Sequence, residues 1–198
     1  NYTIGKVEIM GDYKPLFTVK KYTGDVSLIV APNAVKPLVD LINSANHSIL
    51  VEQFYIYRFF GKKADNPLLG ALINAARRGV NVSVLLDSLY YNVETEDEQS
   101  NLYTAEYINS ISKTENVPIE AKLIDRSNGI EKLHNKGLIL DDSVLISSIN
   151  WNENSPTRNR EVGIVIKGEA AGYFRDVFNY DFYPSNRITG LSTGFAAT

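Results

Sequence analysis

Three short runs in the first half of this chain, residues 26–31, 48–57 and 80–86, are apolar on almost every residue instead of on every second one. A strand with one wet face alternates apolar and polar side chains; a strand without that alternation has to be covered on both faces. Helix signals stand between the runs. Pro32-Asn33 opens a helix with Asn33 as its N-cap and Val35, Leu38, Val39 and Ile42 at helical spacing. Pro37 falls in the first turn of that helix, where its missing N–H removes no intrahelical bond. Asn66-Pro67 opens a second helix through Leu68, Leu69, Leu72 and Ala76, and Gly79 stops it. His47, behind the first helix, reads as structural, meeting the last helical carbonyls.

A polar stretch over 92–101 leads into a helix over 102–113 and a strand over 119–125. Strands over 135–140 and 143–149 flank Asp141-Asp142, which reads as a tight hairpin turn. A last strand spans 161–167 and a last helix 169–180. No internal repeat is present. The expected fold is α/β, with a mixed β-sheet flanked by helices on both faces. Residues 1–25 read as a leader or linker, 26–185 as the folded domain, and 186–198, with its small-residue end GLSTGFAAT, as a flexible tail.

A formal net charge of −3 gives no global attraction to polyanions or anionic membranes, although it leaves room for a local basic groove. The absence of cysteine removes disulfides, thiol nucleophiles and thiolate metal sites together. Two histidines far apart in sequence and no cysteine make a poor ligand set, so neither a metal nor another cofactor is expected. No apolar run approaches the ~18 residues of a membrane span, and the compartment stays open.

The polar residues between 133 and 161 carry the chemistry. His134 and Lys136 are two apart, as are Ser148 and Asn150, and Asn159 and Glu161. On a strand, residues i and i+2 share a face, so each pair can present two polar groups side by side. The set binds anions and bears a nucleophile. Glu52, in the middle of an apolar run, is a carboxylate that burial obliges to find a partner.

These residues resemble the phospholipase D superfamily, whose signature is H-x-K-x-x-x-x-D, then G-S-x-N, then a downstream glutamate. His134, Lys136 and Asp141 match the first part, Ser148 and Asn150 the second, and Glu161 the third, with Asn159 two residues ahead of it. Ser147 stands where the family has glycine, placing a side chain at a tight backbone position. The close match covers roughly residues 133–166, and a looser likeness in element order runs from about 26 to 182.

The resemblance implies an α/β sandwich and a metal-independent phosphodiesterase. In it His134 attacks phosphorus to give a phosphohistidine. Lys136 and Asn150 hold the phosphoryl oxygens, with Ser148 hydrogen-bonding beside them. Glu161 accepts from a histidine Nδ1–H and fixes the tautomer. Asp141, five residues from Lys136, is expected to be structural. Asn159 supports the loop or touches phosphate, Trp151 and the loop 152–160 lie at the rim or pack, and Glu52 lines the cleft or is simply buried.

Family chemistry uses two such signatures, and this chain has one. Two completions are open: a homodimer with the site across its two-fold axis, or the second half of a two-signature polypeptide. An opening at Asn1 without methionine, and the leader, suit the latter. The expected partner is a phosphodiester substrate, phospholipid or nucleic acid; the aromatics Phe54, Tyr55, Tyr57, Phe59 and Phe60 and the acidic balance tilt it toward lipid. The alternatives are a single-signature dimeric nuclease on DNA or RNA, and a non-catalytic phosphate-binding half-domain.

Overall fold

The computed structural model describes residues 21–184. The tail expected over 186–198, and the first twenty residues of the leader expected over 1–25, lie outside the described residues. In chain order the elements are β1 (Asp25–Val30), α1 (Val35–Ser44), β2 (Ser48–Gln53), β3 (Phe59–Phe60), β4 (Ala64–Asp65) and α2 (Pro67–Arg77). Then come β5 (Asn81–Leu86), α3 (Asn101–Glu115), β6 (Ile119–Leu123), β7 (Lys136–Leu140), β8 (Ser143–Ser147), α4 (Asn154–Thr157), β9 (Val162–Lys167) and α5 (Ala170–Phe182). Short 3-10 turns occupy Tyr90–Asn92 and Arg126–Asn128.

Seven strands form one mixed sheet in the order β1-β9-β8-β7-β2-β5-β6. The β2-β5-β6 half is parallel, whereas β7, β8, β9 and β1 run antiparallel to their neighbours. Helices α1, α2 and α3 cover one face over Ile49, Val51, Leu138 and Leu145. Helix α5 covers part of the other over Leu50, Ile139 and Val144, using Phe178 and Phe182. The two-sided arrangement is the one the missing alternation predicts.

The caps explain most of the helix boundaries. Asn66 accepts from the N–H groups of Leu68 (2.9 Å) and Leu69 (3.4 Å), Pro67 follows it, and Gly79 turns at φ +91°. Ser100 caps α3 through the Tyr103 N–H, and Asn116 ends it left-handed.

Two expectations need correction. Asn33 does not cap α1. It adopts φ +76°, a left-handed conformation asparagine tolerates, and the helix starts at Val35 from Ala34, with no side-chain cap. The strand expected over 48–57 stops at Gln53. Beyond it Phe54 N–H donates to the Asn135 carbonyl (2.9 Å). Asn101 holds the Phe54 carbonyl (2.9 Å) and the Ile56 N–H (3.3 Å), and Thr104 donates to the Ile56 carbonyl (2.7 Å). Side chains from the start of α3 therefore replace the sheet ladder, and the segment swings out over the sheet's end.

Candidate functional site

Topology brings the polar pairs to one end of the sheet. β7 runs antiparallel to β2 and pairs Lys136 with Gln53, so β7 begins where β2 ends. The antiparallel hairpin then returns β8 to that end at Ser147, and β9 leaves from it at Val162. His134, Ser148, Asn150, Asn159 and Glu161 all lie just outside these strands, in the connections at their ends. The pleat argument thus applies fully only to Lys136. The other side chains converge because their loops share one edge.

His134 is exposed and Lys136 is buried. The Lys136 Nζ donates to the His134 carbonyl (2.6 Å) and lies 3.1 Å from its Nδ1. Burial pulls the His134 pKa below its ordinary value, and the charges of Lys136 and Lys132 add to the effect. The shift favours the neutral ring, the form with a lone pair for attack. Burial likewise lowers the Lys136 pKa, and Glu161 opposes that shift. The ring of Phe54 lies 4.7 Å from the imidazole and within 5.1 Å of the Lys136 Nζ, closing the cleft on that side.

Glu161 sits in a cage of donors: Ser148 Oγ (2.5 Å), Ser155 Oγ (3.0 Å) and Asn159 Nδ2 (3.2 Å). Those bonds, with the nearby Lys136, outweigh its partial burial and lower its pKa. It makes no bond to His134 of its own chain. The Asn150 N–H donates to Ser155 Oγ (2.9 Å), while its side-chain amide donates to no group among the described residues. Ser155 joins these two signature residues, and no sequence pattern singled it out. Ser147 fits its position: its hydroxyl donates to the Lys136 carbonyl (2.8 Å) and accepts from the Ile149 N–H (3.3 Å), so the crowding expected from the missing glycine does not arise.

Glu52 is buried on the α5 side of β2 and accepts from the Asn135 side chain, while its Oε1 has no hydrogen-bond partner among the described residues. Burial pushes its pKa up to about 7, against the Asn135 bond and with repulsion from Asp181. Asn135, between His134 and Lys136 in sequence, is thus tied to β2 by its side chain and to Phe54, just beyond β2, by its carbonyl. Glu52, His134, Asn135, Lys136 and Phe174 line a cavity of about 230 Å³ between β7, β8 and α5.

Asp87 and Asn101 are the structural residues that sequence reasoning passed over. Asp87 is buried and accepts from the N–H of Leu133 (2.8 Å), fixing the residue ahead of His134, and from Leu89 N–H and Asn92 Nδ2 (2.9 Å each). Asn101 Nδ2 also holds the Asp87 carbonyl (2.9 Å). The signal available was a lone Asp at the end of an apolar run.

Two further residues lie away from the cleft. Asp141 sits in the hairpin turn at the far end, φ +48°, accepting from the N–H groups of Asn46 (2.9 Å), His47 (3.1 Å) and Ser48 (2.9 Å). Trp151, expected either at the rim or in packing, is packed: it is 1% exposed, and its carbonyl accepts from Tyr57 N–H and Asn66 Nδ2. Among the described residues no cluster of three or more His, Cys, Asp or Glu is placed to hold a metal ion. No helix among them is long and apolar enough to cross a membrane.

A family model described as "Cardiolipin synthase, PLD-like domain" matches residues 38–182. Curated proteins gave no match. Among solved structures, the chain is similar to Nuc from Salmonella typhimurium, a phospholipase D family member, at 22% identity and a TM-score of 0.62, covering 81% of this chain and 95% of that one. NucT from Helicobacter pylori is similar at 22% identity and a TM-score of 0.61, over 81% and 96%. A polyphosphate kinase from Porphyromonas gingivalis is similar at 19% identity and a TM-score of 0.56, over 80% of this chain and 26% of that one. At these identities the structural likeness speaks for the fold, and the family match, which spans most of the sheet and the whole cleft, places the chain in the PLD-like domain family of the phospholipase D superfamily.

Proposed function

We propose that this chain forms half of a metal-independent phosphodiesterase site that works through a phosphohistidine on His134. The observation that carries the reading is the exposed, neutral-leaning His134 beside the Lys136 ammonium, with the Asn150 amide and the caged Glu161 on the same strand ends. Nε2 of His134 attacks phosphorus, and the bond to the leaving alcohol oxygen breaks. That oxygen takes a proton from a second histidine. Water or an acceptor alcohol then returns its proton to the second histidine and attacks phosphorus, freeing His134. Lys136 and Asn150 supply positive charge and donors where the phosphoryl oxygens gather charge.

The need for a second half follows from the single signature. The Lys136 Nζ lies 3.1 Å from Nδ1, and attack through Nε2 requires the ring proton on Nδ1, the tautomer that a carboxylate acceptor there would fix. A nucleophilic Nε2 needs a carboxylate at Nδ1, and Glu161 of the same chain is committed to Ser148, Ser155 and Asn159. The missing acid and the second histidine both belong to another signature, from a second copy or another part of a longer polypeptide.

The rim favours an amphiphilic phosphodiester. Tyr90 is 78% exposed and stands edge-on to Tyr91, which leans on Phe54. Tyrosines so placed suit a boundary between apolar chains and water. The exposed Glu94, Glu96, Asp97 and Glu98 follow directly and oppose a polyanion crossing the same rim.

The decisive assay is cleavage of a chromogenic phosphodiester in EDTA by the wild type and by His134→Ala. Activity lost in the variant supports the reading, and strict dependence on Mg²⁺ sinks it. Phospholipid micelles and a single-stranded oligonucleotide, run in parallel, separate the lipid reading from the nuclease alternative. Activity on neither, with phosphate still bound, supports a binding half-domain.

A further inference from the structure

A second cavity of about 230 Å³ opens between the segment 58–65, α2 and α3, and it shares no lining residue with the one beside His134. Arg58 lines it and is half-buried. The guanidinium Cζ lies 3.8 Å from the centre of the Tyr107 ring, 4.9 Å from that of Phe59 and 5.7 Å from that of Tyr103. Three rings thus hold the guanidinium in place without using any of its N–H donors. Among the described residues no group accepts from those donors. Its Nε is closed off from solvent with no partner, whereas the two terminal nitrogens stay open.

The other half-buried or paired arginines are different. Arg77 donates to Glu115 (2.7 and 2.6 Å) and to Asn74 (3.0 Å), Arg158 donates to Glu153, and Arg160 and Arg175 donate to backbone carbonyls. Arg58 has given up part of its hydration and gained no acceptor in exchange, which is unfavourable unless something else supplies one.

Gly70 is an independent sign of an occupant. It is the fourth residue of α2, inside a helix, where glycine is less stable than alanine. It adopts no positive φ, and a Cβ built on it meets nothing within 4 Å, so neither a turn nor close packing calls for glycine. It lines the same cavity as Arg58. What the missing side chain provides is room beside the guanidinium.

We propose that this cavity binds a small organic monoanion, a carboxylate or a phosphodiester, at a site separate from the His134 cleft. The oxyanion takes two N–H groups of the Arg58 fork, the pairing that guanidinium geometry favours. Asn74 accepts from Arg77 through Oδ1, which leaves its N–H₂ as a further donor on the same wall. The carbon skeleton lies on the buried Leu69 and Ile73 and in the space beside Gly70. The charge is single because Arg77 is already matched by Glu115, and Asp65, also on the wall, repels a dianion.

The test is a titration of the full-length ¹⁵N-labelled chain, following the Arg58 Nε–H resonance, which is assigned by its loss in Arg58→Lys. The probes are sodium butyrate and sodium dimethyl phosphate at constant ionic strength, with sodium chloride and 1-butanol as controls. The expected result is a displacement that saturates within about 10 mM for at least one probe and for neither control. Saturation by butyrate alone names a carboxylate ligand, and saturation by dimethyl phosphate alone a phosphodiester. His134→Ala should leave the displacement unchanged, since the site does not involve the cleft.

Gly70→Leu fills the cavity and favours the helix, so calorimetry should find probe binding weakened at least tenfold in a protein that melts no lower than the wild type. Arg58→Lys keeps the charge but loses the fork, and should weaken binding by a similar factor. No saturable displacement, an equal response to chloride or to 1-butanol, or binding that survives Gly70→Leu each overturns the proposal. A loss of binding in His134→Ala overturns it too, because the probe would then be seated in the cleft.

Discussion

Glu52 should make this protein less stable as the solution moves from mildly acidic to neutral, against the usual behaviour of a carboxylate. The folded chain keeps its pKa near 7, whereas the unfolded chain ionises it near 4.5. The unfolded state therefore releases its proton first. Stability is fully present below the unfolded pKa and is lost as pH rises toward the folded one, by about 1.36 kcal/mol per pH unit and about 3.4 kcal/mol in all. About 2.4 kcal/mol of that falls between about pH 5 and about pH 7.5.

Glu52→Gln keeps the shape and an oxygen for Asn135 but does not titrate. Urea unfolding of both proteins at the two pH values, followed by circular dichroism, isolates the effect, because every other titrating group is common to both. With a slope of about 2 kcal/mol per M, the wild-type midpoint should fall by about 1 M more than that of the variant. Parallel midpoints in the two proteins would refute the argument that burial and Asp181 hold this carboxyl neutral.

The remaining predictions concern positioning and pH. Asn101→Ala should cost about 2–4 kcal/mol, since it strands two carbonyls and an N–H in a buried setting; a loss below 1 kcal/mol in thermal unfolding would show that the 54–56 segment is held by other means. Asp141→Ala should destabilise more than Asp141→Asn, which retains an acceptor and tolerates φ +48°; equal losses would make the three N–H bonds irrelevant. The wild type should lose the Asp141 contribution on acidification, because its folded pKa lies below the ordinary value. In the phosphodiesterase assay, the acid limb of kcat/KM should lie below the usual imidazole range, as the His134 shift requires; a limb displaced upward would mean that His134 works as a cation.

The sheet and its helices were legible because their signals are local and agree with one another: unbroken apolar runs, Asn66-Pro67, Gly79 and the Asp141-Asp142 turn. The misplaced end of β2 shows the limit. Nothing in Phe54-Tyr55-Ile56-Tyr57 itself forbids a strand; Asn101 and Thr104, more than forty residues away, take its backbone bonds. The site divides the same way. His134 and Lys136 announce themselves by spacing, and the structure puts them in contact. Ser155, Asp87 and Asn135 act through hydrogen bonds to backbone and to side chains at no regular spacing, and leave no pattern to read. Trp151 could be read either way, because an aromatic next to a polar signature residue suits a rim or the core, and only packing decides whether it faces outward.

The burial of Trp151 also makes it an optical probe. It is the only tryptophan of the chain, and its carbonyl is held by the segment that carries Phe54 and Tyr55 and by the cap of α2. It follows Asn150 directly in sequence. Its emission comes from one place, a dry one beside Asn150 in the chain, so a change in wavelength reports water reaching that end of the sheet. The 54–57 segment is joined to it by backbone, through the Tyr57 N–H and the bridge between Ile56 and Trp151, so detachment of that segment alters its surroundings. Loss of the 54–57 segment and global unfolding can be timed on unlabelled protein by the steps in which that emission changes.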